Sequence, residues 1–214
     1  PNISTAYWAY ASAVSLFLSA FFAPILGAAA DVKGSKKRML FLFTLVGVLS
    51  SGCMAFVGPG NWVLALFLMM GGTIGFSASM IFYDALLPSL VPAHRIDTVS
   101  SQGYALGYLG GGILLAANLL FIRFLPGTAG ARLSFLSVAL WWALFSVPVF
   151  LFVDEPHPSP ESKHLSGTAL FLKGLERLRM TFREIRHYRN LFIFLLAFWL
   201  YNDGIGTIIR MAAI

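Results

Sequence analysis

Asp84, Asp203 and Arg210 are ionisable residues set inside long apolar runs of a 214-residue chain. Charge is costly at membrane depth, so residues in such places default to binding or relay chemistry. Asp203 carries the strongest signal. It stands about 13 residues into the last apolar run, roughly 20 Å deep at ~1.5 Å of helical rise per residue. Asn202 and Gly204 flank it and Gly206 follows. A helix can open at such a patch and expose backbone carbonyls beside the carboxylate, the arrangement of a midplane solute or ion site. Arg210 lies seven residues on and shares that face two turns away. A structural Asp–Arg link between neighbouring helices is the alternative. Asp84 lies near the end of an earlier run and stands open between an ion pair with a loop lysine and a role in a site.

No nucleophile–base pair, phosphate-binding loop or metal-ligand spacing accompanies these residues. His94, His157, His164 and His187 occupy polar segments at irregular intervals, unlike a metal ligand set. Cys53 is the single cysteine, which excludes an intrachain disulfide or a cysteine-based cluster within this sequence. The residue types therefore predict no enzyme chemistry, no metal and no cofactor.

The elements that must position these groups follow from composition. Charged residues make up 11% of the chain, against roughly 25% in soluble domains. Hydrophobic residues make up 58%, with 20 Phe. So few charges cannot cover so much apolar surface in water. Lipid must be the solvent. Apolar runs of spanning length occupy residues 7–30, 39–57, 62–90, 99–122, 133–153 and 191 to the end. They are continuous, not alternating, which predicts helices and not a barrel. The fold class is all-α, a polytopic transmembrane helix bundle. No signal-peptide pattern opens the chain at Pro1, and its last residues fall within an apolar run. Both ends read as internal to a longer membrane protein.

Basic residues orient the spans. Twelve lie in the first, third and fifth connections, including Lys33, Lys36, Lys37, Arg38 and Arg95, and two, Arg123 and Arg132, in the others. The odd-numbered connections are therefore cytoplasmic. The net charge of +6 collects in these gaps, without the aromatic–basic surface of a nucleic-acid binder. Three regions follow: residues 1–153 with five spans, a cytoplasmic linker over 154–189, and residues 190–214 with a further span. The linker opens with a proline-rich stretch. From about residue 168, Phe171, Leu175, Leu178, Phe182 and Ile185 recur at four- and three-residue steps. Basic residues fill the other faces, predicting an amphipathic helix on the inner leaflet.

Small residues recur at four-residue steps in three spans. They are Gly103, Gly107 and Gly111, with Gly110 alongside; Gly71, Gly75 and Ser79; and Ser19, Ala23 and Gly27. This spacing places them on one stripe, where helix backbones can approach. Static packing and a sliding gate are both compatible with it.

The first cytoplasmic connection reads Gly27-Ala-Ala-Ala-Asp31-Val-Lys33-Gly34-Ser-Lys36-Lys37-Arg38. It resembles the signature of the major facilitator superfamily, with Val32 where a basic residue is usual and Lys33 displaced by one. The stretches Phe82-Tyr-Asp84-Ala-Leu-Leu-Pro88, Gly103-Tyr-Ala-Leu-Gly107-Tyr-Leu-Gly110-Gly111 and Tyr201-Asn-Asp203-Gly204 resemble the vacuole-effluxer-like branch. That branch is related to the fungal autophagy-linked amino-acid exporter. The resemblance implies a secondary transporter of small solutes, amino acids among them, working by alternating access with a proton or other coupling ion. The chain would cover helices two to seven of twelve. Gly27, Asp31, Lys33, Gly34, Lys36 and Lys37 would form the gating loop, with Asp31 latching the halves in one access state. The location implied is the inner membrane of a prokaryote or the vacuolar membrane of a fungus. Lipid would surround the spans, and the oligomeric state stays open. The alternative is a non-transporting membrane scaffold or receptor that recruits partners through the basic helix.

The charge asymmetry has a direct test. With Cys53 replaced by alanine, Ser159→Cys is expected to react with a membrane-impermeant maleimide only from the cytoplasmic side. Labelling from the opposite side would reverse the orientation.

Overall fold

The computed structural model describes residues 2–33, 35–154, 169, 172, 175–176, 179–180, 183–184 and 188–211. Among these residues the long elements are all α-helices and there is no strand. Helix α1 spans Asn2–Lys33, α2 Lys36–Met54, α3 Trp62–Leu90, α4 Ile96–Phe124, α5 Ala129–Phe152 and α6 Arg189–Met211. In lipid the backbone must satisfy its own hydrogen bonds, so apolar runs of this length become helices. Each of α1 to α5 carries a stretch long and apolar enough to cross a membrane. The molecule is a multi-pass integral membrane protein built as a helical bundle. The proline-rich stretch and most of the expected amphipathic helix lie outside the described residues.

Helices overrun the apolar runs where polar ends can still pair. The apolar count places the start of the fourth span at Val99, yet α4 begins at Ile96, and a short 3-10 turn, Ala93–Arg95, precedes it. Asp97 in the first turn of α4 complements the positive end of the helix dipole. The reversals on the other side use glycine. Gly60 and Gly127 adopt φ of +86° and +60°, a left-handed conformation that glycine takes without a steric penalty.

The helices pack in the order α1, α3, α2, α5, α4, with α2 held between α3 and α5. The contact between α3 and α4 is slight. At the centre, α2 and α3 approach backbone to backbone. A Cβ on Gly75 would lie 2.6 Å from the Gly47 nitrogen and 2.8 Å from the Phe43 carbonyl oxygen. The Trp142 ring of α5 closes over Gly47 from the other side. Gly71 repeats the approach one turn away, against the Ser50 hydroxyl. Below this crossing, Leu40, Phe82 and Leu86 form a buried cluster with Leu26, Met39, Phe43, Val149 and Phe150 packed around it. Phe43 stacks on Phe82 with ring centroids 5.8 Å apart.

Outside that core the surface is apolar. Phe17, Phe67, Leu140 and Phe152 are all more than half exposed, which water would penalise and lipid tails do not. On α4, Gly107, Gly111 and Gly112 meet no atom within 4 Å. Gly110 faces Trp141 at 3.6 Å. The two small-residue stripes thus differ: that of α3 is filled by α2, and that of α4 borders open space among the described residues.

The crossing predicts a sharp contrast between glycines. Gly75→Ala puts a methyl into rigid backbone and is expected to destabilise the full-length protein by about 1–3 kcal/mol, as overpacking does. Gly52→Ala meets only the Ala139 methyl, at 3.5 Å, and should be near neutral. Thermal unfolding in detergent would measure both. Equal midpoints would remove the crossing as a constraint.

Candidate functional site

A cleft opens where α3 and α4 diverge, with a volume of about 490 Å³. Helix α3 contributes Phe76, Met80, Tyr83, Asp84 and Leu87, spaced as one helical face. Helix α4 contributes Val99, Ser100, Gly103, Tyr104, Gly107 and Tyr108, again one face. The cleft exists because α4 leans on α5 and barely touches α3. Gly103 leaves room for the Tyr83 ring, whose hydroxyl would stand 3.6 Å from a Cβ placed there. Asp84 is exposed to this space. Among the described residues no cation or hydrogen-bond donor pairs with its carboxylate.

Lys36 is the first residue of α2. Its Nζ donates to the Ala85 carbonyl of α3 at 3.1 Å. Lys37 Nζ donates to the Val153 carbonyl at the end of α5 at 2.6 Å. Val153 follows the last residue of α5, where a carbonyl lacks an intrahelical donor, and Ala85 lies five residues before the end of α3, toward the negative end of its dipole. Pro88, inside α3, has no N–H for the Asp84 carbonyl four residues before it. The start of α2 therefore anchors to the turn of α3 that carries Asp84. Ser35, just before α2, keeps a buried hydroxyl without a partner among the described residues.

The remaining sequence-derived candidates divide by location. Gly27 sits in α1 near Ile81 of α3, 3.9 Å from where a Cβ would be. Asp31 and Lys33 belong to the last turn of α1, but their side chains and Gly34 lie outside the described residues. Asn202, Asp203 and Arg210 all belong to α6. Asn202 is exposed, and the side chains of Asp203 and Arg210 lie outside the described residues. The tyrosines of the cleft were missed by a reading centred on charge. Their signal is present in the sequence, since Tyr104 and Tyr108 share the glycine-bearing face and Tyr83 adjoins Asp84. A second missed feature is the polar link between α4 and α5, where the Ser137 hydroxyl donates to Asn118 Oδ1 at 2.7 Å.

Comparison with known proteins adds a family. The profile of a family described as vacuole effluxer, Atg22 like, matches residues 3–97 and 92–214. A Bacillus subtilis protein described as an uncharacterized MFS-type transporter, YxiO, is 37% identical over 216 residues, covering 98% of this chain and 49% of that protein. Autophagy-related protein 22 of Yarrowia lipolytica is 23% identical, covering 93% of this chain and 46% of its own length. The protein of the same description from Coccidioides immitis is 24% identical, with 97% and 44% covered. The chain thus spans about half the length of the curated relatives it matches. No solved structure matches it at a significant level.

The lysine anchors predict a measurable loss. Lys36→Met removes a charge-assisted hydrogen bond and is expected to lower stability by about 1.5 kcal/mol, with Lys36→Arg recovering most of it. The readout is the thermal midpoint of the full-length protein. An unchanged midpoint in Lys36→Met would make the contact incidental.

Proposed function

Because the chain belongs to the family of vacuole effluxers like Atg22, we propose that it forms part of a secondary transporter of the major facilitator type. It moves small solutes, amino acids among them, across a membrane by alternating access. The observation that carries this reading is the match of the family profile to both ends of the chain, over residues 3–97 and 92–214. The name of the Bacillus subtilis relative, a transporter of MFS type, supports the mechanism class.

The bundle offers the parts such a cycle needs. A cytoplasmic corner joins three helices through Lys36 and Lys37, so movement of α2 is transmitted to α3 and α5 together. A cleft with an accessible carboxylate opens beside it. Asp31, at the end of α1, is assigned the latch between access states. Asp203 and Asn202 on α6 are assigned to the solute or coupling-ion site, with Arg210 as the partner that balances the carboxylate. A carboxylate can exchange a proton, an amine or an arginine as the cycle proceeds, which suits it to coupling.

The reading is tested by counterflow of radiolabelled amino acids in vesicles carrying the full-length protein. Asp203→Asn is expected to reduce counterflow at least about tenfold, a change of ~1.4 kcal/mol in the barrier, at normal protein levels. Asp31→Asn should alter the rate and leave membrane insertion intact. Wild-type rates in both variants would remove these residues from the cycle. Absence of counterflow for a broad solute panel by the wild type would remove the transporter reading itself.

A further inference from the structure

We propose that α2, α3 and α5 hold water inside the membrane, bound by the hydroxyls of Thr44, Ser79 and Ser146. The water links the three helices one turn from their glycine crossing. This site stands apart from the transporter reading and does not rest on it.

The three hydroxyls share one layer by register. Lys36 at the start of α2 meets Ala85 near the end of α3, and Lys37 meets Val153 at the end of α5. Helix α2 therefore runs antiparallel to both. Thr44 lies three residues before Gly47 on α2, Ser79 four after Gly75 on α3, and Ser146 four after Trp142 on α5. Gly47, Gly75 and Trp142 meet at the crossing, so each hydroxyl is displaced from it by about one turn, in the same direction. A cavity of about 110 Å³ lies at this level, and all three residues line it. Thr44 is eight residues from the first residue of α2, about 12 Å along the helix by rise. The layer is well inside the membrane.

The hydrogen-bond inventory selects the ligand. Ser79 donates to the Phe76 carbonyl at 2.8 Å and Ser146 to the Trp142 carbonyl at 2.7 Å. Each hydroxyl has one hydrogen, so both present only lone pairs to the cavity. Thr44 and Ser79 are 6% and 5% exposed. The Thr44 hydroxyl makes no hydrogen bond among the described residues and keeps its hydrogen for a ligand. The set asks for a compact group that donates twice and accepts once. Water does this, and about three hydrogen bonds are usual for a buried water. At roughly 30 Å³ per molecule, the cavity has room for it. An acyl chain in the same space would leave a buried hydroxyl unbonded, which is unfavourable in hydrocarbon. A hard divalent cation requires about six oxygen ligands, and three neutral hydroxyls cannot repay its dehydration. Trp142, which closes over Gly47, also lines the cavity. The water thus sits against the ring that ties α5 to the crossing.

Two measurements on the full-length protein test the site. A cryo-electron microscopy map fine enough to show ordered water is expected to place density at about 2.7–3.2 Å from Thr44 Oγ1. The same density should reach the Ser79 or Ser146 hydroxyl. An acyl chain in the cavity, a side chain from elsewhere in the protein, or no density would each overturn the proposal. Thermal unfolding in detergent then asks whether the hydroxyls act together. Thr44→Val keeps the shape and removes the donor, and should lower the midpoint by about 2–4 °C. In a protein already carrying Ser79→Ala and Ser146→Ala, the same change should be neutral or raise the midpoint. The three hydroxyls are not bonded to one another, so such coupling between them runs through the shared water. An equal loss in both backgrounds, or no loss in either, would also overturn it.

Discussion

The bundle depends on one close approach of backbones. Where α2 crosses α3, Gly47 and Gly75 present no side chain, and the space a Cβ on Gly75 would need is occupied by the main chain of α2. In water, apolar burial would bring two such helices together. In lipid that driving force is absent, because the acyl chains are as apolar as leucine. Dispersion contacts must supply the attraction, and these fall away steeply with separation. Glycines at the crossing reduce the separation, and Trp142 of α5 then closes over Gly47. Three helices are tied at one point. The buried cluster of Leu40, Phe82 and Leu86 sits on the same α2–α3 seam and inherits its geometry.

Helix α4 lies outside this arrangement, and the cleft follows from that. It packs on α5, where Gly130 meets the Phe121 carbonyl and Ile122 Cα and Ser137 reaches Asn118. Both contacts lie in the half of α4 toward its C-terminus. The other half diverges from α3 and leaves the faces of Asp84 and the tyrosines apart. Small-residue spacing on α4 therefore bounds a space, whereas the same spacing on α3 closes a contact.

Charge and helix ends meet at the corner where α2 begins. Lys36 and Lys37 are neighbours in sequence, yet their ammonium groups reach carbonyls on two different helices. Adjacent positions on a helix point about 100° apart, so a pair of lysines at the start of α2 can span from α3 to α5. The anchoring carbonyl on α3 belongs to the residue after Asp84, in the turn that Pro88 deprives of a hydrogen bond. The signature loop and the cleft are thus connected through one loosened turn.

Much of this was legible in the residues themselves. Continuous apolar runs determine helices in lipid, because no other backbone conformation satisfies its own hydrogen bonds within one segment. The third span, residues 62–90, coincides with α3, polar ends extend α1 and α4, and α2 lies three residues toward the N-terminus of the expected span. Asp84 was legible as a costly charge, and the glycine stripes as surfaces suited to close approach. The sequence could not say which stripe is filled. Spacing defines a face, and the neighbour that face receives depends on how distant helices pack. The same holds for Lys36, whose acceptor lies 49 residues away in the chain, and for Tyr104 and Tyr108, which line one cleft with Asp84 through the packing of α4. Local patterning determined the elements and their faces, and only the tertiary structure decided which faces meet and which remain open, because contacts between helices distant in sequence leave no local signature.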